Sequence, residues 1–316
     1  MITLYVISSL VLVCTTLSSL RSSQWWSKMW DTGRLQLAVL IFILLGLGCL
    51  FFDYNRDLEI ALTILLVVAL SYHLYIISPF TPIYKKEIGD ALNRNFCIRA
   101  VTCNVRMSNR ETQQLLEVLY EKNPDFILLT EVNEWWVNQL AVLEKTYPFT
   151  ILHPQENTYG IAFYSKYPLS DAQVKFLVKE DIPSIHTKIT IRGKPIRIIG
   201  LHPRPPAPWT TPENKDLEII MAAGLTNDHL LPTIVTGDLN DVCWSKLTES
   251  FKYISGLKDP RVGRGILNTY NANIPLFRYP IDHFFVSKHF KVLDIQRLPY
   301  VGSDHFPVFL ELNLES

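Results

Sequence analysis

Residues 233–240 read Thr-Ile-Val-Thr-Gly-Asp-Leu-Asn. The first four form a short apolar and β-branched run closed by glycine, which is the pattern of a buried strand. Beyond it, alternation would turn Asp238 and Asn240 to one face and Leu239 to the other. Taken alone, the same residues also describe an ordinary turn. Three further stretches join an apolar run to a short polar motif: 126–129 leads into Thr130-Glu131, Ile281-Asp282-His283 precedes 284–286, and Ser303-Asp304-His305 precedes 307–310. Strand ends are where a rigid scaffold presents chemical groups to solvent. Carboxylates, an amide and an imidazole from distant parts of the chain would therefore converge, as a divalent-metal phosphoryl site requires.

The surrounding pattern supports strands with interspersed helices. Phe96 to Val101 predicts a strand ending at Asn104, and Arg110 to Lys122 has helical spacing with Leu115, Leu116, Val118 and Leu119 on one face. Pro124 stops that helix. Further strands are expected over 150–152, 160–165, 185–191 and 196–201, with Gly193 in a hairpin turn and Ile185, Thr187, Ile189 and Ile191 alternating onto one face. Pro203, Pro205, Pro206 and Pro208 make the segment after His202 an extended loop, and Thr211-Pro212 opens a helix reaching about Asp228. A short helix from Trp244, an irregular stretch to Pro280 and two or three strands complete the chain. Such a mixture favours an α/β sandwich over a doubly wound parallel sheet.

The first quarter is of another kind. Residues 1–20 and 35–52 carry no charged side chain, and 60–80 holds only His73 as an ionisable group. About 18 or more apolar residues suffice to cross a bilayer, so three transmembrane helices are expected at about 1–20, 35–52 and 58–80. A signal peptide is the alternative for the first, against which stand the missing basic n-region and the lack of a clear cleavage site. Trp25, Trp26, Trp30, Tyr72, Tyr75 and Tyr84 suit interfacial belts. Residues 1–84 thus form a membrane anchor, 85–94 a mixed polar linker, and 95–316 one domain long enough for a large core.

That domain holds 23 basic and 24 acidic side chains, what remains of 30 and 30 after the seven and six up to Arg94. Near-zero charge without a basic run weighs against a non-specific nucleic-acid binder, whose affinity rests on phosphate neutralisation. The cysteines Cys14, Cys49, Cys97, Cys103 and Cys243 have no C-x-x-C spacing and neither build a disulfide scaffold nor bind zinc. Loop charges Arg21, Lys28 and Arg34 outnumber Arg56 on the opposite side, placing the domain in the cytoplasm by the positive-inside rule.

Glu131 leaves an apolar strand, and a metal is the economical partner for an ionised carboxylate there. Asp238 can orient or deprotonate water, and an amide such as Asn240 can donate to a phosphoryl oxygen. Asp282 and His283 are consecutive, so on a strand only one of them faces the site. A carboxylate can hold His305 in one tautomer. His202 follows an apolar strand at the start of the proline loop.

From about Phe96 to Leu312 the chain resembles the endonuclease/exonuclease/phosphatase family, the deoxyribonuclease I-like group. The motifs run in family order: Thr102-Cys-Asn104-Val, Leu129-Thr-Glu131, Gly200-Leu-His202, Gly237-Asp-Leu-Asn240, Ile281-Asp282-His and Ser303-Asp-His305. With the apolar leader, the proline loop and Tyr-Gly-Ile-Ala-Phe-Tyr-Ser at 159–165, it looks most like bacterial membrane-anchored members. The resemblance implies a four-layered α/β sandwich, two packed mixed sheets flanked by helices, with the site at one end. It implies Mg²⁺ or Mn²⁺ at Glu131 with Asn104 and Asp304, water activation by Asp238, phosphoryl binding by Asn240, Asp282 bracing His305, and His202 on the phosphate or leaving oxygen. Two departures stand out: Arg106 replaces the aspartate of apurinic endonucleases, and no glutamate near Tyr159 pairs with His202.

The function so implied is a membrane-anchored, divalent-metal-dependent phosphoester hydrolase of nuclease or phosphodiesterase type, using in-line water attack. Its partners are a phosphoester substrate (nucleic acid, phospholipid or soluble ester) and the lipid bilayer, with no obligate protein partner evident. A phospholipid- or inositol-phosphate-directed enzyme of the same fold is the alternative. A catalytically inactive tethered binding module is a further one, against which stands the presence of Glu131, Asp238 and His305. The spans carry no central charge pair of the kind that marks a transport pathway. The location expected is a multi-pass bacterial inner-membrane protein, and the layout of similar proteins favours an outward domain against the charge count.

Overall fold

The computed structural model describes the chain except for residues 21–23, 206–211, 227–229 and 316 and the side chains of 212–215. Pro206, Pro208, Thr211 and Asp228 therefore lie outside the described residues, as does Arg21.

Eleven strands form two sheets among the described residues. The first is ordered β10-β11-β1-β2-β4-β3 and the second β5-β6-β7-β8-β9. In the first, β1 (Cys97–Asn104) runs parallel to β2 (Phe126–Thr130), while β3 (Phe149–His153), β4 (Ile161–Ser165), β10 (Phe290–Arg297) and β11 (Val308–Leu314) extend it in antiparallel fashion. In the second, β7 (Lys194–Leu201) is parallel to β8 (Thr233–Asp238), and β5 (Leu169–Lys175), β6 (Ser184–Ile191) and β9 (Asp282–Val286) pair antiparallel.

Strand alternation builds the layers. Ile98 and Ala100 of β1 and Ile196 and Ile198 of β7 face each other's sheets in a central core with Phe126, Leu128 and Phe163. Val101 and Cys103 turn outward against α5 (Thr112–Lys122) and α6 (Glu134–Leu140), whereas Ile199 and Leu201 turn outward against α7 (Pro212–Gly224) and α8 (Lys246–Ser255). The result is a four-layered α/β sandwich. Each sheet is apolar on both faces because each is covered twice, which accounts for continuous apolar runs such as 126–129.

The expected hairpin is present, with Ile185, Thr187, Ile189 and Ile191 all buried and Arg192 and Gly193 at φ 49° and 80° in its turn. Asn123 ends α5 at φ 46°, before Pro124. Ser245 caps α8, its side chain accepting from the Thr248 amide. Two elements of the sandwich lie outside the sequence reading, α6 and the exposed edge strand β5, as does a short helix over Trp25–Thr32 ahead of it.

Ahead of the sandwich stand α1 (Ile2–Ser19), α2 (Trp25–Thr32), α3 (Arg34–Phe51) and α4 (Asp57–Ile77). The first, third and fourth are long and apolar enough to cross a membrane by length and composition. They meet through Val11, Ile41, Leu44 and Leu66. Contacts tie this bundle to the sandwich: Trp244 Nε1 donates to Asp31 O (3.0 Å), Lys28 Nζ reaches Asp216 (2.6 Å), and Gly263 N donates to Pro79 O (2.8 Å). Ile76 and Phe80 pack with Val242, Trp244 and Ile281. Residues 85–94 also lie on the sandwich, since Ile88 is buried in its core and Ala91 N donates to Val292 O.

Candidate active site

The two parallel pairs end on the same side of the molecule, and their C-terminal ends deliver the polar residues. Asn104 closes β1, Glu131 follows β2, His202 follows β7 and Asp238 closes β8. Asp282 opens β9 directly opposite Asp238 in the register. His305 comes from the loop before β11. Close approach of β7 to β8 depends on Gly237, at φ 141°, where a Cβ would sit 1.9 Å from the Leu201 carbonyl oxygen.

Asn104 is the hub. Its Nδ2 donates to Glu131 Oε1 (2.9 Å) and to Asp238 Oδ2 (3.1 Å), and its Oδ1 accepts from Arg106 N (2.9 Å). Glu131, half-buried at φ 60°, also accepts from Met107 N (3.2 Å). Asp238 Oδ2 lies 3.7 Å from His202 Nε2 and 3.7 Å from His305 Nε2, so one carboxylate oxygen stands between two imidazoles. The other oxygen of Asp238 accepts from Asn240 N (2.9 Å).

His305 Nδ1 is 2.8 Å from Asp282 Oδ2, and its ring lies 4.9 Å from that of Tyr270. Burial opposes its protonation, but the charges of Asp282, Asp238 and Asp304 win and push its pKa up to about 10. These charges favour the imidazolium form of His305. The neighbour of Asp282 in the sequence motif points elsewhere: His283 is buried, its Nδ1 2.6 Å from Arg261 Nη2 and its Nε2 2.7 Å from Asp241 O. Burial and then the Arg261 charge drive His283 down to about 3, a neutral structural ring. Of the consecutive pair, Asp282 faces the site and His283 the packing behind it.

Residues 101–305 match the sequence model of the Endonuclease/Exonuclease/phosphatase family. The chain belongs to that family. Membership makes it a phosphoester hydrolase. The structure is similar to an endonuclease/exonuclease/phosphatase from Beutenbergia cavernae (TM-score 0.57, 18% identity, covering 70% of this chain and 72% of that one). It is similar also to one from Bacteroides vulgatus (0.57, 19%, 70% and 100%). The human Nocturnin catalytic domain, with its bound sulfate anion, aligns at 0.57 and 17% identity over 69% of this chain and 94% of that one. At such identities the likeness concerns the fold. No curated protein matches the chain.

Against the endonuclease/exonuclease/phosphatase motifs, the structure gathers Asn104, Glu131, His202, Asp238, Asp282 and His305 into one connected set. Asn240 does not continue the strand alternation: at φ 53° its Nδ2 donates to Pro203 O (2.9 Å). Asp304 is part-exposed, 3.9 Å from Arg106 Nε, and follows Ser303, whose Oγ donates to Asn104 O (2.7 Å). Among the described residues, Asp238, Asp282 and His305 form a group with metal-ligand chemistry, their ligand atoms within 4.8 Å of one another. Asp282 holds Nδ1 of His305, which leaves Nε2 facing Asp238 to carry a proton or meet a ligand. Glu131, Asn104 and Asp304 supply the oxygen donors that suit a hard divalent cation.

Around this set the structure places residues that the sequence reading gave no role. Tyr270 covers His305 from the irregular stretch, where no periodicity singles it out. Tyr159 lies 5.7 Å from His202 and Arg204 is 5.5 Å from the Tyr159 ring. Glu218 of α7 is buried, with burial raising its pKa to about 8 against the pull of Arg204. The signal for Arg261 was available: an Asp-Pro-Arg triplet just after the apolar Ile254 and Leu257 asks for a buried partner.

Proposed function

We propose that the protein is a membrane-anchored, divalent-metal-dependent phosphoester hydrolase that works by direct in-line attack of water. The carrying observation is Asp238 Oδ2, set 3.7 Å from each of two imidazoles and 3.1 Å from the Asn104 amide. A group so placed can orient a water and take its proton as the new O–P bond forms. The leaving oxygen departs on the opposite side and takes a proton from His202 or solvent, so no covalent enzyme intermediate is needed.

His305, kept protonated by Asp282, offers Nε2–H to the charge that grows on the phosphoryl oxygens. Glu131, with Asn104 and Asp304, would hold Mg²⁺ or Mn²⁺, and such an ion supplies charge neutralisation at a phosphoryl oxygen. Asn104 fixes the distance between Glu131 and Asp238 by donating to both. Tyr270 and Tyr159 wall the two histidines and limit water around them.

Three apolar helices ahead of the domain support anchoring in a bilayer, and the bundle's tie to the sandwich keeps the site at a set height above it. The test is hydrolysis by the full-length protein in nanodiscs with Mg²⁺, across DNA, RNA, phospholipids and phosphorylated inositols. Hydrolysis of one class that requires the metal supports the reading. Inertness toward all of them counts against it.

A further inference from the structure

Beside the site, the loop 268–278 leans against α3 and encloses a groove of about 560 Å³. Small-ligand sites occupy about 300–1,000 Å³. One wall is α3, through Leu35, Val39 and Ile43; the other is Leu276 and Phe277. Gln36 Nε2 holds the loop by donating to Leu276 O (3.0 Å). The contacts on α3 begin one residue after Arg34 and run to Ile43, roughly 12 Å along the helix at 1.5 Å per residue. Leu276 is 70% exposed, Phe277 49% and Val39 54%, so both walls present apolar side chains with no protein cover. If α3 crosses a bilayer, this groove opens into its outer layer.

The groove is also cationic, and one aromatic ring separates its charges from the chain position next to His305. Arg278 and Arg297 line it, and their guanidinium carbons lie 5.0 and 4.3 Å from the ring of Phe306, the residue after His305. Both arginines spend donors on main-chain oxygens, Arg278 on Ala272 and Arg297 on Asn268. Burial and the neighbouring Arg278 lower the Arg297 pKa, and no carboxylate among the described residues offsets them. Two adjacent guanidiniums repel each other, and a phosphate between them would relieve that repulsion. Ala272 N donates to Asp304 O (2.7 Å), so the same loop touches the site motif.

We infer that this groove receives a membrane phospholipid as substrate: one acyl chain lies between α3 and Leu276–Phe277, and the phosphate passes Arg278 and Arg297 to reach His305. The inference rests on the hydrolase reading above and on α3 spanning the bilayer, and it names the substrate class of that site. An amphiphile fits because the groove joins apolar walls to two cations that no carboxylate among the described residues neutralises. A nucleic acid would meet Leu276 and Phe277 where it needs phosphate contacts.

The experiment uses full-length protein in Mg²⁺ with phosphatidylglycerol, phosphatidylethanolamine and phosphatidate, each as dioleoyl lipid in vesicles and as the water-soluble dihexanoyl form. A DNA oligonucleotide and bis(p-nitrophenyl) phosphate complete the panel. For at least one headgroup the dioleoyl form should turn over at least about tenfold faster in kcat/KM than the dihexanoyl form, since each buried methylene discriminates by 10-fold or more. Val39→Trp, which fills the groove and remains apolar, should collapse that ratio. The Arg278→Gln/Arg297→Gln double variant should raise KM for the long-chain lipid by at least about tenfold, the loss of charge-assisted contacts to phosphate. Turnover of the dihexanoyl form in the same samples separates a filled groove from a misfolded protein. A ratio unchanged by Val39→Trp overturns the groove. Cleavage of the oligonucleotide or the nitrophenyl ester with none of any lipid overturns the lipid assignment and leaves the hydrolase reading standing. Inertness toward the whole panel overturns both.

Discussion

Asp282 Oδ2 and His305 Nδ1 meet at 2.8 Å although they arrive on different sheets, one opening β9 and the other preceding β11. The contact exists only when the sandwich is closed, so protonation of His305 is coupled to folding. Its folded pKa of about 10 exceeds the ordinary 6.5. A histidine raised in this way adds stability that is fully present below 6.5 and is lost as pH climbs through about 10. In EDTA, the difference in Tm between wild type and His305→Gln should therefore be largest near pH 6 and shrink toward pH 10. A difference that grows with pH contradicts the assignment.

Asp282→Asn keeps the shape of that contact and removes its charge. Turnover near neutral pH should fall at least about a hundredfold, in the range seen when a positioned acid–base group is lost. The alkaline limb of the pH–rate profile should also move to lower pH, because His305 loses its largest favourable partner. An unmoved limb would assign the proton to another group.

Behind Asp282, Arg261 makes a buried pair with Asp259 (2.7 Å) and donates to Asp282 O (3.1 Å). Removing one member of a buried ion pair strands the other, at about 3–5 kcal/mol. Arg261→Ala should lower stability by that amount in a denaturant titration, and a loss under about 1 kcal/mol would show the pair to be dispensable.

The segment 85–94 reads as polar linker, yet Ile88 is 4% exposed in the central core. A fragment 85–316 should be more stable than 95–316, and Ile88→Ala in the full-length protein should cost about 2–5 kcal/mol. Equal thermal stability of the two fragments would place Ile88 outside the cooperative unit.

The parts legible in sequence were those where one residue's neighbours dictate its state. The runs at 126–129 and 233–236 are apolar or β-branched on both faces, and Glu131 and Asp238 stand just past them, as Asn104, Asp282 and His305 stand at or near the ends of β1, β9 and β11. The rest depends on tertiary placement. Edge strand β5, with its Ser-Asp-Ala-Gln stretch largely exposed, has no apolar period to reveal it. Helix α6 is seven residues long and held by burial of Trp136 and Leu140, too short for periodicity to show. Asn240 breaks the expected alternation through its positive φ, which spacing alone does not reveal. Tyr270 reaches His305 only because the long loop folds back over the site.

The central claim is that metal-assisted water attack is organised by Glu131, Asp238 and His305. The most direct measurement is the rate of phosphoester hydrolysis by full-length protein in Mg²⁺, in EDTA and after Mg²⁺ is restored, for wild type and for Glu131→Gln, Asp238→Asn and His305→Ala. The account predicts loss of hydrolysis in EDTA, recovery with Mg²⁺, and a fall of at least about a hundredfold in each variant. Undiminished hydrolysis in EDTA, or full activity in Asp238→Asn, would contradict it.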